Sequence, residues 1–167
     1  MPASAQVARM LELAAEHGAP KGTDPALFES FLTQATPQIR QAFMTRHSEP
    51  KVFQVLSSLF QAVYVRKNTS PVVQIETTET SASVITMMLD QPFVVDTLLL
   101  SLKTEAMGYV AGFNMVLGVR RDEEGRIIGL DGPGDPLESH IFVECEPLDP
   151  TDCNKLAATL QGRLRLA

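Results

Sequence analysis

The stretch Met87-Met88-Leu89-Asp90-Gln91-Pro92-Phe93-Val94-Val95-Asp96 decides the fold. An apolar strand runs into Asp-Gln-Pro, and an apolar helix follows as far as Met107-Gly108. Proline suits a first helical turn, because the N–H it lacks has no partner there. The bend therefore predicts a helix start, with free backbone donors and a positive end, beside the tip of a strand. Such a corner suits a small anion or the carboxylate of an amino acid. It holds no nucleophile.

Upstream of this corner the pattern is β and, before that, helical. Val84 to Leu89 reads as one strand and Val72 to Thr77 as another, joined through a polar turn at Thr78 to Ser81. The residues before Lys67 read as four helices with clear stops. Ser4 is placed to cap the first, which carries Val7, Met10, Leu11 and Ala14 and ends at Gly18. Asp24-Pro25 starts the second, Thr36-Pro37 the third and Ser48-Glu49-Pro50 the fourth. In the fourth, Val52, Val55, Leu56, Leu59, Phe60 and Val63 recur at helical spacing.

Downstream, Tyr109 to Val119 alternates strictly, with Phe113, Met115 and Leu117 on one face and Gly112, Asn114 and Val116 on the other. Asp122-Glu123-Glu124-Gly125 reads as a hairpin turn, with a short return strand to Leu130. Glu138 to Glu146 is a further alternating strand, and Asp149 caps a last helix with Cys153, Leu156, Leu160 and Leu164 in a stripe. That stripe is still running at Ala167, so the chain is expected to continue a longer protein. The expected class is α+β: a helical segment over 1–68, then an antiparallel sheet over 70–167 with helices on one face.

Composition narrows the function. In 167 residues there are 14 basic and 20 acidic side chains, a net charge of −6, with no clustered Lys/Arg face. This argues against nucleic acid and anionic membranes as partners. No signal peptide or membrane-length apolar run is visible, so a cytoplasmic protein is expected. Cys145 and Cys153 match no disulfide framework and no zinc spacing, and no two histidines stand at metal-ligand spacing. Asn68-Thr69-Ser70 matches the glycosylation pattern by coincidence.

The candidate site residues are Asp90, Gln91, Pro92, Phe93, Asp96 and Asn114. Several have a plainer reading. Asp90 is expected to cap the helix, accepting a backbone N–H worth about 1 kcal/mol. Asp96 suits a solvated position near the positive helix end. Asn114, between glycines, points first to close packing of that strand face. His140 alternates with Ile141 and is expected at the surface, and Glu138, Glu144 and Glu146 read as an exposed acidic face. Cys145 reads as a small core residue. No catalytic residue and no metal site are expected.

Several blocks occurring in order resemble the N-terminal segment of the large bacterial NAD-dependent glutamate dehydrogenases. They are Asp90-Gln91-Pro92-Phe93-Val94-Val95-Asp96, Val116-Leu117-Gly118-Val119-Arg120-Arg121-Asp122, Gly125-Arg126 and Glu138-Ser139-His140. The resemblance spans about residues 70 to 166, with a looser similarity in the helical lead-in. Departures fall at Leu89, where the family has an acid, at Asn114-Met115, where it has His-Pro, and at Gly118, commonly Arg. The resemblance implies a ferredoxin-like, ACT-like module that binds no cofactor itself, in a parent enzyme using NAD to deaminate glutamate to 2-oxoglutarate. It further implies a regulatory and assembly role, with an amino-acid effector, a homo-oligomer and the rest of the parent polypeptide as partners. The alternatives are a purely structural oligomerisation module, or a small stand-alone enzyme using the acidic strand and His140.

Overall fold

The computed structural model describes residues 3–67 and 70–166. Asn68 and Thr69 of the glycosylation-like tripeptide, and Ala167 at the end of the apolar stripe, lie outside the described residues. Two compact units emerge. One comprises Met1–Lys67 with Leu117–Leu137, and the other Asn68–Val116 with Glu138–Ala167. The hairpin region 117–137, read from sequence as part of the sheet half, groups with the helices.

The first unit contains α1 (Ala3–His17), α2 (Pro25–Ala35), α3 (Gln41–Arg46) and α4 (Glu49–Val63). Ser4 lies inside α1 and so does not cap it. The Asp24 cap forms as expected: its carboxylate accepts the Ala26 N–H at 2.8 Å, with Pro25 opening α2. Ser48 likewise caps α4 through Lys51 N–H. The expected third helix is split into a 3₁₀ turn, Thr36–Gln38, and α3. Ile39 is extended (φ −76°, ψ 130°), which interrupts the helix between them. Apolar spacing on α2 and α4 produces a phenylalanine core. Phe60 lies 5.4 Å from Phe28 and 4.9 Å from Phe31, centroid to centroid, and all three are buried.

A hairpin closes this unit. The end of β3 (Tyr109–Arg121) pairs with β4 (Ile127–Leu130). The Asp122 carboxylate accepts the N–H groups of Glu124 and Arg126, which shapes the turn. Arg121 reaches back to the end of α4, donating to Val63 O at 2.8 Å and Tyr64 O at 3.3 Å, and also donates to Gly125 O of its own turn at 2.7 Å. The two carbonyls at the end of α4 have no helical donors, so a fixed guanidinium is a suitable cap.

The second unit is built on β1 (Val72–Thr77), β2 (Ala82–Leu89), β5 (Leu137–Cys145) and the first part of β3. Strand order across the five-stranded antiparallel sheet is β1-β2-β5-β3-β4. Register places Val84 opposite Val143 and Met88 opposite Ser139. On one face α5 (Val94–Thr104) and α6 (Cys153–Arg165) bury Leu98, Leu102, Leu160 and Leu164 against Val84, Met88, Ile141 and Val143. This is the expected α+β arrangement. A hydrogen bond of 2.6 Å from Arg163 to Glu105 ties the two helices together.

On the other face of β5, Glu138, His140 and Phe142 are buried as well, which period-2 alternation cannot reveal. His140 is 0 % exposed and Glu138 2 %, and the two bond at 3.0 Å (Nε2 to Oε1). Both expectations of surface positions are therefore overturned. An imidazole and a carboxylate two residues apart on one strand point the same way, and paired they tolerate burial. Of the remaining acids on that strand, Glu144 is half-buried and Glu146 exposed.

Candidate functional site

The corner after β2 differs from the sequence reading in one informative respect. Asp90 does not cap the helix. Its carboxylate accepts the Ser139 hydroxyl of β5 at 2.7 Å, a partner 49 residues away. The helix begins two residues after Pro92, at Val94, and the cap position falls to Phe93, which offers no side-chain bond. Pro92 sits in the preceding turn. Phe93 adopts a left-handed conformation (φ 69°) and leaves 74 % of its surface exposed. That conformation costs a residue with a β-carbon about 1–2 kcal/mol.

A cavity of about 130 Å³ opens at this point, lined by Asp90, Gln91, Phe93, Val94, Val95, Asp96, Asn114 and Ser139. Five of the six residues singled out from sequence thus meet around one space; Pro92 is not in its lining. Ser139 is the residue that sequence reasoning missed. Its 2 % exposure and its hold on Asp90 follow from the pairing of β2 with β5. Only the Glu-Ser pair at 138–139, noted as a family block, pointed toward it.

The chemistry of the lining is divided. The N–H groups of Val94, Val95 and Asp96 belong to the first turn of α5 and have no acceptor within the helix. Together with the dipole they favour a carboxylate. The carboxylates of Asp90 and Asp96, among the same lining residues, favour a cation. The Asn114 amide can donate or accept. Val94 and Phe93 contribute apolar surface. No Lys or Arg lines the cavity.

Close packing at Gly112 comes from within the sheet, and not from the helix after Pro92 or a second sheet. A β-carbon on Gly112 would stand 2.6 Å from Phe142 O on β5, so the approaching group is a neighbouring strand. Packing and cavity lining coexist here, because Gly112 and Asn114 are adjacent positions on the same strand face.

Among the described residues no group of three or more His, Cys, Asp or Glu is placed to hold a metal ion. No helix among them is long and apolar enough to cross a membrane. Burial, and then the charges of Glu144 and Glu146, push the Cys145 thiol up from 9.0 to about 11. The Thr151 N–H, followed by its hydroxyl, holds the Asp149 carboxyl below the usual range, in keeping with its place at the start of the last helical segment.

The Cys145 shift has a sign that can be measured. Above pH 9.0 the unfolded thiol ionises while the folded one keeps its proton. The contribution to stability is complete below that pH and is lost as the pH rises toward about 11. The urea midpoint is expected to fall over this interval in the wild type and to fall less in Cys145→Ala. Alkylation of the native protein near neutral pH should spare Cys145.

Compared with models of protein families, residues 31–160 match the one described as glutamate dehydrogenase, ACT1 domain. No curated protein and no solved structure matches the chain.

Proposed function

Because the chain belongs to the glutamate dehydrogenase ACT1-domain family, we propose that it regulates and helps assemble an NAD-dependent glutamate dehydrogenase by binding an amino acid at the start of α5. The parent reaction is the oxidative deamination of L-glutamate to 2-oxoglutarate, carried out in the cytoplasm by residues outside this domain. The ACT1 domain is a non-catalytic part of glutamate dehydrogenase.

One observation carries the reading: a 130 Å³ cavity lined by the first residues of α5 together with the acids Asp90 and Asp96. A simple anion would meet the donors but be repelled by Asp90 and Asp96. A zwitterion satisfies both, with its carboxylate on the α5 amides and its ammonium against Asp90. The volume is well below the usual range for drug-sized ligands. It suits a compact molecule such as an amino acid. An effector held there acts only through a difference in affinity between two arrangements of the protein.

Assembly into a homo-oligomer is supported by apolar side chains left in water on the second unit, among them Leu100 at 65 % and Tyr109 at 49 % exposure. The remainder of the parent polypeptide is the other partner.

Titration calorimetry of the 167-residue chain with a panel of L-amino acids tests the proposal. Binding of at least one is expected. Asp90→Asn and Asn114→Ala should each weaken it by about tenfold, as loss of a charged or polar contact of roughly 1.4 kcal/mol implies. If no amino acid binds the chain, the effector role fails and only assembly remains.

A further inference from the structure

Asp131-Gly132 is the one place in the chain where an Asp or Asn precedes glycine. In a freely moving chain such a pair rearranges spontaneously, because glycine has no side chain to keep its nitrogen away from the preceding carboxyl group. The Gly132 nitrogen bonds to Asp131 Cγ, the Cγ–O bond breaks, and one water leaves with the amide proton. Water then reopens the cyclic imide. Addition at Cγ restores aspartate, whereas addition at the main-chain carbonyl leaves isoaspartate, with the backbone running through Cβ and Cγ. Nothing is oxidised or reduced, and the mass is unchanged.

Asp131 lies exposed just after β4, in a left-handed turn conformation (φ 53°) that aspartate tolerates. Exposure gives the reaction room, but both reacting groups are engaged elsewhere. Asp131 Oδ1 accepts the Gly118 N–H at 2.8 Å, and the Asp131 N–H returns to Gly118 O at 2.7 Å. The nucleophile is held in the same reciprocal way. Gly132 N–H donates to Asp135 Oδ2 at 2.9 Å, and Asp135 N–H donates to Gly132 O at 3.1 Å. We propose that Asp131 is a latent isomerisation site and that Asp135 guards it, by holding the Gly132 nitrogen away from Asp131 Cγ. Attack requires that nitrogen to leave a charge-assisted hydrogen bond and Asp131 to release Gly118. Once formed, isoaspartate carries an extra backbone carbon, which puts its N–H and carboxylate out of register with Gly118. The change therefore loosens the loop from β3.

Ageing the 167-residue chain near neutral pH at body temperature tests this, with wild type in buffer, wild type in urea, Asp135→Ala and Asp135→Asn side by side. Trypsin releases Ile127 to Lys155 as one peptide, whose isomers separate by chromatography. Endoproteinase Asp-N identifies them, since it cuts before Asp131 and not before isoaspartate. Folded wild type should isomerise at least roughly tenfold more slowly than in urea, and Asp135→Ala should recover roughly tenfold of that rate, the weight of one charge-assisted hydrogen bond. Asp135→Asn keeps an oxygen acceptor for the Gly132 N–H and should stay near the wild-type rate. Circular dichroism verifies that both variants are folded. Equal rates for folded and unfolded wild type would overturn the proposal, and that comparison needs no substitution, so it stands even if Asp135→Ala fails to fold. A folded Asp135→Ala that isomerises no faster than wild type also overturns it. A slower rate in that variant would make the Asp135 carboxylate a base that promotes attack, the opposite of a guard.

Discussion

Gly125→Ala is expected to destabilise the helical unit by about 4 kcal/mol or more, a loss in the range reserved for steric conflict with fixed backbone. A β-carbon at this position would lie 1.8 Å from Arg66 O and 2.6 Å from Arg66 C. The backbone there has little freedom to yield. Arg66 N–H donates to Gly125 O at 2.9 Å, and Ile127 N–H donates to Tyr64 O at 3.0 Å. Arg121 grips the same Gly125 carbonyl while capping α4. Gly125 also has φ +85°, which alone costs an L-residue about 1–2 kcal/mol. Gly134→Ala is the control: its φ is +79°, and its added β-carbon meets nothing within 4 Å. Chemical denaturation should therefore separate the two variants by at least about 2 kcal/mol. Equal losses would mean that the hairpin does not press on the segment after α4.

The second large effect belongs to Glu138→Ala, which removes the carboxylate beside a fully buried imidazole. The expected cost is about 3 kcal/mol, because a buried polar group deprived of its partner retains its desolvation penalty. Glu138→Gln keeps an acceptor for His140 Nε2 at nearly the same volume and should cost only about 1 kcal/mol. Urea unfolding of the two variants at one pH measures the difference. Indistinguishable losses would show that the carboxylate contributes volume and nothing more to His140.

Much of the secondary structure was legible because its causes are local. The α4 stripe from Val52 to Val63 repeats at helical spacing, and every one of Val52, Val55, Leu56, Leu59, Phe60 and Val63 is buried. The strand from Val72 to Thr77 appears with the bounds that its β-branched run suggested. Two Asp-Pro neighbourhoods show where this logic stops. At Asp24 the nearest donor is the Ala26 N–H, and the cap forms. At Asp90 the Ser139 hydroxyl, brought alongside by the pairing of β2 with β5, takes the carboxylate. The helix then starts later than the proline suggested, and Phe93 is left in the strained position. An identical local preference thus gives two outcomes because one aspartate has a distant competitor.

The burial of Glu138 and His140 illustrates the same boundary. Alternation along β5 separates Ile141 and Val143 from His140 and Phe142, and this separation holds. Which of the two faces meets water is not encoded in the period, since a strand covered on both sides alternates just as well when its second face carries a paired acid and base.

By itself the sequence determined most of the helices and strands, the α+β class and the family, since these follow from short-range periodicity, turn residues and blocks of residues in order. It also assembled most of the candidate corner, as Asp90 through Asp96 are contiguous. Only the tertiary structure decided that Asn114 and Ser139 join them around a cavity, that Asp90 serves a strand rather than a helix, and that Arg121 caps α4. Those contacts span 24 to 58 residues of chain. Their energies depend on which partner packing brings within reach, a quantity with no local signature.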